Sequence, residues 1–289
     1  MTNPAETLRR IIADGDLVCF PTCFDALSAR LIRDAGFPLS FMSGFGVAAT
    51  LALPDTGLIG FAEMIGQLRG ICGAVPGFPI IGDGDTGYGN AVNVRRTVLE
   101  YAKAGAACVM IEDQVSPKKC GHLDGKQVVG REEARLKIRA AVEAAREAGI
   151  LVLARTDARS VDGFEAALER CRDFEEEGAD ILFLEAPGSI DELRAFAGSM
   201  RQPTMANLVA GGKTPMLSRA ELRETGVRLV SYHPLLPAAV KAMQDALAAL
   251  AEDDAGKAPP SVGFDAIKSI VGLPEYTALE RRYASTEKR

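Results

Sequence analysis

The chain has 289 residues, 47% of them apolar and 25% charged, with a formal net charge of -6 at pH 7. That composition supports a large folded core, and its acidity, with no basic run interleaved with aromatics, argues against a nucleic-acid surface. Met1 to Asp16 carries acids and no long apolar stretch, so neither a secretory signal nor a membrane span is expected, and a cytoplasmic location is.

The first strand is expected at Leu17–Cys23, the second at Leu39–Ser43 and the third at Pro79–Gly82. Asn90–Ala104 then reads as a helix with Val92, Val98, Leu99 and Ala102 along one side and Gly105 as its stop. A fourth strand, Cys108–Ile111, is followed by a helix over Arg131–Ala148 ending in Gly149. The fifth, Leu151–Ala154, is followed by one over Gly163–Glu177 ending in Gly178, and glycine tolerates the left-handed cap position best. Strands at Ile181–Leu184, Thr204–Ala206 and Arg228–Ser231 complete the series, and a helix over Ala238–Ala251 follows the last. Residues 253–260 read as a linker, before a short Phe264–Tyr283 region punctuated by Leu273-Pro274.

Most of these strands are continuous apolar runs, as strands buried on both faces must be, and about eight βα units is the barrel number. The expected fold is α/β: a (β/α)8 barrel over residues 1–252, with 253–289 as a helical tail on the barrel or a neighbouring subunit. A doubly wound open sheet has the same alternation and competes with it.

In a barrel the carboxyl ends of all strands open onto one face. Asp55 follows the second strand, Asp83 and Asp85 end the third, and Glu112 and Asp113 end the fourth. Arg155 and Asp157 follow the fifth, Glu185 the sixth, Asn207 the seventh and His233 the eighth. Carboxylates gathered in one cleft need a counter-charge. Oxygen ligands without paired histidines suit Mg2+, with Mn2+ as a substitute. Gly82-Asp83-Gly84-Asp85-Thr86-Gly87 formally matches a dinucleotide fingerprint, but two aspartates would face the pyrophosphate, so the motif is read as a metal approach instead.

Six cysteines without CxxC spacing suggest neither a disulfide framework nor a zinc site, and five are expected in the core. The sixth, Cys120, lies beside Lys118, Lys119 and His122, a setting expected to lower its pKa, and Gly121, Gly125 and Gly130 give the segment freedom to act as a lid.

The string Lys118-Lys119-Cys120-Gly121-His122, with Asp83-Gly84-Asp85 before it, resembles the isocitrate lyase and phosphoenolpyruvate mutase superfamily over about the whole barrel. Ser43-Gly44-Phe45, Asp55, Glu112, Arg155-Thr156-Asp157, Glu185-Ala186 and Asn207 fall where its motifs would put them. The likeness is with the short lyases, of methylisocitrate, dimethylmalate and petal-death type, and with carboxyphosphoenolpyruvate mutase. It implies Mg2+ on Asp85, with Asp55, Asp83 and Glu112 acting mostly through water. Ser43, Gly44, Phe45, Asp55, Gly121, Arg155, Asn207 and His233 are the expected substrate contacts, and Cys120, Lys118, His122, Arg155 and Glu185 the expected catalytic set. Cys120 would protonate the released carbanion. The implied reaction is retro-aldol cleavage of a substituted 2-hydroxy-dicarboxylate to a 2-oxo acid and a carboxylic acid, in a homotetramer with exchanged C-terminal helices.

Two departures qualify the transfer. Phe41 stands where methylisocitrate lyases have a tyrosine, and Tyr232-His233-Pro234 stands where they read Tyr-Pro-Leu. The run Gly211-Gly212-Lys213-Thr214-Pro215 resembles the carboxyphosphoenolpyruvate mutase branch, so phosphorus-carbon bond formation is an alternative. Oxaloacetate hydrolysis or decarboxylation is another, and a barrel that only binds a diacid is the non-enzymatic one.

Overall fold

Apolar runs covered on both faces become strands, and the computed structural model, which describes residues 3–251 and 261–284, contains eight of them. They are β1 (Val18–Cys23), β2 (Ser40–Met42), β3 (Ile80–Asp83), β4 (Cys108–Glu112), β5 (Leu151–Thr156), β6 (Ile181–Leu184), β7 (Thr204–Leu208) and β8 (Leu229–Tyr232). All pair in parallel in sequence order, and β8 returns to β1, so the sheet closes and the open-sheet alternative falls away. β5 and β7 continue beyond their expected ends because Thr156 pairs with Leu184 and Asn207 with Ser231. Arg155 and Asn207 are thereby held on strands rather than in loops.

The helices are α1 (Pro4–Ala13), α2 (Ala26–Asp34), α3 (Gly44–Thr50), α4 (Phe61–Ala74), α5 (Ala91–Ala104) and α6 (Arg131–Ala148). They continue with α7 (Phe164–Glu176), α8 (Ile190–Ser199), α9 (Arg219–Thr225), α10 (Leu235–Ala251), α11 (Phe264–Ile270) and α12 (Leu273–Tyr283). α5 shows how local rules set them. Asn90 caps its start by accepting from the Val92 and Asn93 N–H groups, and Gly105 ends it at φ +100. Its packed stripe is Val94, Thr97, Val98 and Tyr101, while Val92 is 76% exposed, so the expected face is corrected at that residue. Polar anchors decide the rotation: Thr97 donates to the Gly87 carbonyl and Tyr101 to that of Asp83.

Alternation along the strands sorts side chains between two layers. Ala206, Leu208 and Val230 pack outward with Leu193 of α8 and Leu222 of α9. Their neighbours Met205, Asn207, Leu229 and Ser231 therefore face the barrel interior. On β3, Gly82 faces out, where a Cβ would lie 2.9 Å from the Tyr101 ring, so Asp83 faces in.

Packing divides the chain into two units, ending at Leu236 and starting at Pro237, whereas the sequence suggested a boundary after residue 252. The expected linker at 253–260 lies outside the described residues. In the second unit α11 and α12 have no buried residues, and Phe264, Tyr276 and Tyr283 are exposed. Among the described residues no helix is long and apolar enough to cross a membrane.

Candidate active site

The inward positions at the carboxyl ends of the strands carry the polar residues singled out from the sequence. On the β2–β4 side Asp55, Asp83, Asp85 and Glu112 are all buried. Asp83 is held by backbone: Gly44 N–H donates to Oδ2 at 2.9 Å and Asp85 N–H to Oδ1 at 3.1 Å. A Cβ at Gly44 would lie 2.7 Å from Asp83 Oδ2, so only glycine allows this approach. Asp85 itself sits at φ +46, a conformation costly for a non-glycine residue and often kept at working sites. Burial pushes its pKa up to about 6, opposed by Lys118 and reinforced by Asp83 and Asp55. Burial likewise raises Glu112 well above the usual carboxylate range.

Lys118 enters this cluster from the lid between β4 and α6. Its ammonium lies 2.5 Å from Asp55 Oδ1 and 2.8 Å from Asp85 Oδ1. Burial disfavours its charge, but Asp85, Asp83, Glu112 and Asp55 outweigh that and raise its pKa well above the usual value. Asp55 Oδ1 and Asp85 Oδ1 are buried against the Lys118 ammonium alone, and Glu112 Oε1 is buried with no hydrogen-bond partner among the described residues. Four acids facing one lysine are a donor set that fits a hard divalent cation. Among the described residues no three His, Cys, Asp or Glu side chains converge as a ready-made cage. Mg2+ does not need one, since it is ordinarily bound through one or two carboxylates and several waters.

The lid is docked rather than loose. Cys120 N–H donates to the Asp55 carbonyl at 3.1 Å, and Gln114 grips Lys119 through both its amide atoms at 2.9 Å. The expectation of an acidified thiol is corrected here: Cys120 has its pKa raised, first by burial and then by Asp55 and Glu185, against the His122 N–H and Arg155. The lysines that were to lower it point elsewhere, Lys118 to the acids and Lys119 to the Gly125 carbonyl.

Arg155 sits at the centre. Its Nε and Nη2 make a two-pronged contact with Asp157 at 2.9 and 3.0 Å, Nε lies 3.3 Å from Glu112, and Nη1 lies 3.3 Å from Glu185. The fork expected for a substrate carboxylate is thus occupied by Asp157, and Nη1 is the edge turned toward Glu185. His122 Nε2 is 3.5 Å from Glu185 Oε1, while its Nδ1 accepts from Lys213 N–H at 3.2 Å. Gly121 fits between them because a Cβ there would strike Arg155 and come within 2.7 Å of Glu185.

Ser43 is buried, and its hydroxyl caps α3 by accepting from Gly46 N–H. The Phe45 side chain is half exposed. Asn207, Ser231, His233 and Thr22 form a hydrogen-bonded chain across β7, β8 and β1. All the expected site residues lie on this rim or its lid.

The sequence reading gave no role to Lys126, which the structure shows to be central. Buried, it bonds Asp157 Oδ1 at 3.0 Å and also the lid carbonyl of Gly121. Nor did it assign Asp113, which accepts from Thr156 Oγ1, Asp157 N–H and Arg170 and so supports Asp157 from behind. Shared parity of 155 and 157 along β5 was the available signal for Asp157; no local pattern marks Lys126.

The Phosphoenolpyruvate phosphomutase family profile matches residues 8–251. A 2,3-dimethylmalate lyase of Eubacterium barkeri is 41% identical over 98% of this chain and 99% of its own length. A crystal structure of 2,3-dimethylmalate lyase aligns with a TM-score of 0.92 at 34% identity, covering 99% of this chain and 97% of that one. Phosphonopyruvate hydrolase in complex with oxalate and Mg++ aligns with a TM-score of 0.85 at 31% identity, over 98% and 99%.

Proposed function

Since this chain belongs to the phosphoenolpyruvate phosphomutase family, within the isocitrate lyase superfamily, we propose that it is a Mg2+-dependent carbon-carbon lyase of a substituted 2-hydroxy-dicarboxylate. The observation that carries the reading is the buried acid cluster set beside a lid that seats a protonated thiol. Likeness to 2,3-dimethylmalate lyase in both sequence and structure favours it over the mutase and oxaloacetate alternatives.

Asp85 would hold Mg2+ directly, with Asp55, Asp83 and Glu112 acting through water; Asp83, with both oxygens already on backbone N–H groups, suits the indirect role. When bound, Mg2+ supplies positive charge where the oxygen of the forming 2-oxo acid gathers electrons. The Ser43–Phe45 backbone and Arg155 Nη1 would bind the 2-oxo acid end. Glu185 holds Arg155 and His122, and there His122, whose protonation burial disfavours, would hydrogen-bond the dianionic fragment while Lys118 would offset its charge. The C2 hydroxyl would give its proton to a carboxylate of the acid cluster, its O–H electron pair would close the C2=O bond, and the pair of the breaking C2–C3 bond would pass to the departing carboxylic acid as an aci-carboxylate. Cys120 then gives that carbon its proton, which a thiol of raised pKa still carries at neutral pH. The seated lid excludes water that would otherwise quench the carbanion.

The barrel unit would do the chemistry and the second unit would assemble a homotetramer by exchange of helices, a role supported by its exposed Phe264, Tyr276 and Tyr283. A cytoplasmic setting suits six free cysteines.

A panel of 2,3-dimethylmalate, 2-methylisocitrate, other alkylmalates and oxaloacetate, assayed for 2-oxo acid release, tests the reading. Cleavage of a 2-hydroxydiacid that stops with EDTA and returns with Mg2+ or Mn2+ is expected, and Asp85→Asn should lose the Mn2+ signal in electron paramagnetic resonance. Full turnover without metal, or cleavage of none of the hydroxydiacids, rejects it.

A further inference from the structure

His233 follows β8 at the rim of the barrel, and its surroundings define what it does. His233 Nε2 lies 2.5 Å from Asn207 Oδ1, Ser231 Oγ lies 2.8 Å from the same oxygen, and Thr22 Oγ1 lies 3.2 Å from His233 Nδ1. An amide oxygen only accepts, so Nε2 carries the proton and the Ser231 hydroxyl donates alongside it. In the neutral ring Nδ1 is then an acceptor, served by the Thr22 hydroxyl. Burial holds the ring neutral, its pKa brought down to about 4, with His122 adding to the effect and Asp83 opposing it.

With its oxygen doubly engaged, the Asn207 carboxamide turns over only if the His233 ring changes tautomer and the Ser231 and Thr22 hydroxyls reverse with it. Among the described residues Asn207 Nδ2 makes no hydrogen bond. It sits on an inward position of β7, which in the closed ring lies four strands from β3 and so across the barrel mouth from Asp83.

We propose that His233 is a positioning residue: with Ser231 it locks the Asn207 carboxamide so that its two N–H donors face the mouth and take the second carboxylate of a diacid. This rests on the diacid reading above and deepens it. A substrate whose first carboxylate lies at the acid cluster spans the rim, and its far carboxylate meets a preset donor pair instead of a mobile amide.

Calorimetric titration with succinate and with pyruvate, both with Mg2+, tests this on the intact protein and on His233→Ala, His233→Gln and Asn207→Asp, each checked by thermal melting. His233→Ala should weaken succinate about tenfold, the scale of one hydrogen bond, and leave pyruvate unchanged. His233→Gln, whose side-chain N–H can still donate to Oδ1, should recover most of that loss. Asn207→Asp turns a carboxylate oxygen toward the ligand and should weaken succinate more than His233→Ala does. The proposal is overturned if the intact protein does not bind succinate, if His233→Ala loses neither ligand or both equally, if glutamine gives no recovery, or if Asn207→Asp binds succinate normally. Should His233→Ala not fold, the other two variants decide. The expected binding pattern in a chain that cleaves no 2-hydroxydiacid would sustain the His233 role and defeat the lyase reading.

Discussion

Burial, reinforced by Asp55 and Glu185, raises the pKa of the Cys120 thiol, and the protonated form is the one the proposed acid role requires. Replacement by serine leaves a group of similar shape that is a far weaker acid. Cys120→Ser is expected to lower turnover by at least about a hundredfold, while Mn2+ affinity and melting temperature stay as they were. Near-normal turnover would remove Cys120 from the mechanism. The thiol's pKa was misread from sequence because neighbours in the chain were taken for neighbours in space; both lysines extend away, one into the acid cluster and one onto the Gly125 carbonyl. Asp83, Asp85 and Glu112 were legible at the residue scale, since each falls at the carboxyl end of an apolar run, whereas Asp55 lies in the loop after α3.

The lid is the element whose behaviour depends most on single contacts. Lys126 ties the Gly121 carbonyl to Asp157, which Arg155 and Asp113 hold in turn. Burial resists the charge on Asp157, but Arg155 and Lys126 outweigh it and keep its pKa below the usual range. Lys126→Met removes the tether yet leaves Asp157 paired with Arg155, so the loss stays local. Hydrogen exchange should quicken at residues 118–125 while the barrel strands remain protected, and kcat should fall with the lid's residence over the site. Unchanged lid exchange would show that Lys126 is no latch. Strand and helix positions were readable to within two residues at most ends, because period and stop signals are local. The face of α5 was not, because Thr97 and Tyr101 turn toward carbonyls of the β3 segment that no helical pattern encodes.

At the scale of the molecule, the second unit carries exposed apolar side chains: Phe264 and Tyr283 are each 74% exposed on helices with no buried residue among those described. The proposed exchange of helices between subunits would cover this surface. Phe264→Lys combined with Ile267→Lys should convert a tetramer into smaller species in sedimentation velocity, with the barrel's circular dichroism retained. Intact protein sedimenting as a monomer at every concentration would dismiss the assembly.

Alternation of apolar runs with amphipathic segments, written in local periodicity, determined the barrel class and put the acids, the thiol and the amide at strand ends. Closure of the sheet decided which of these residues meet, because only the ring brings β3 opposite β7 and β5 between the acids and Glu185. Direction was also a tertiary matter: where Lys118 and Lys126 point, and which way the Asn207 amide is turned, depend on partners tens of residues away in the chain. Those contacts are set by charge and hydrogen-bond satisfaction in a buried rim, and no window of sequence contains both of their ends.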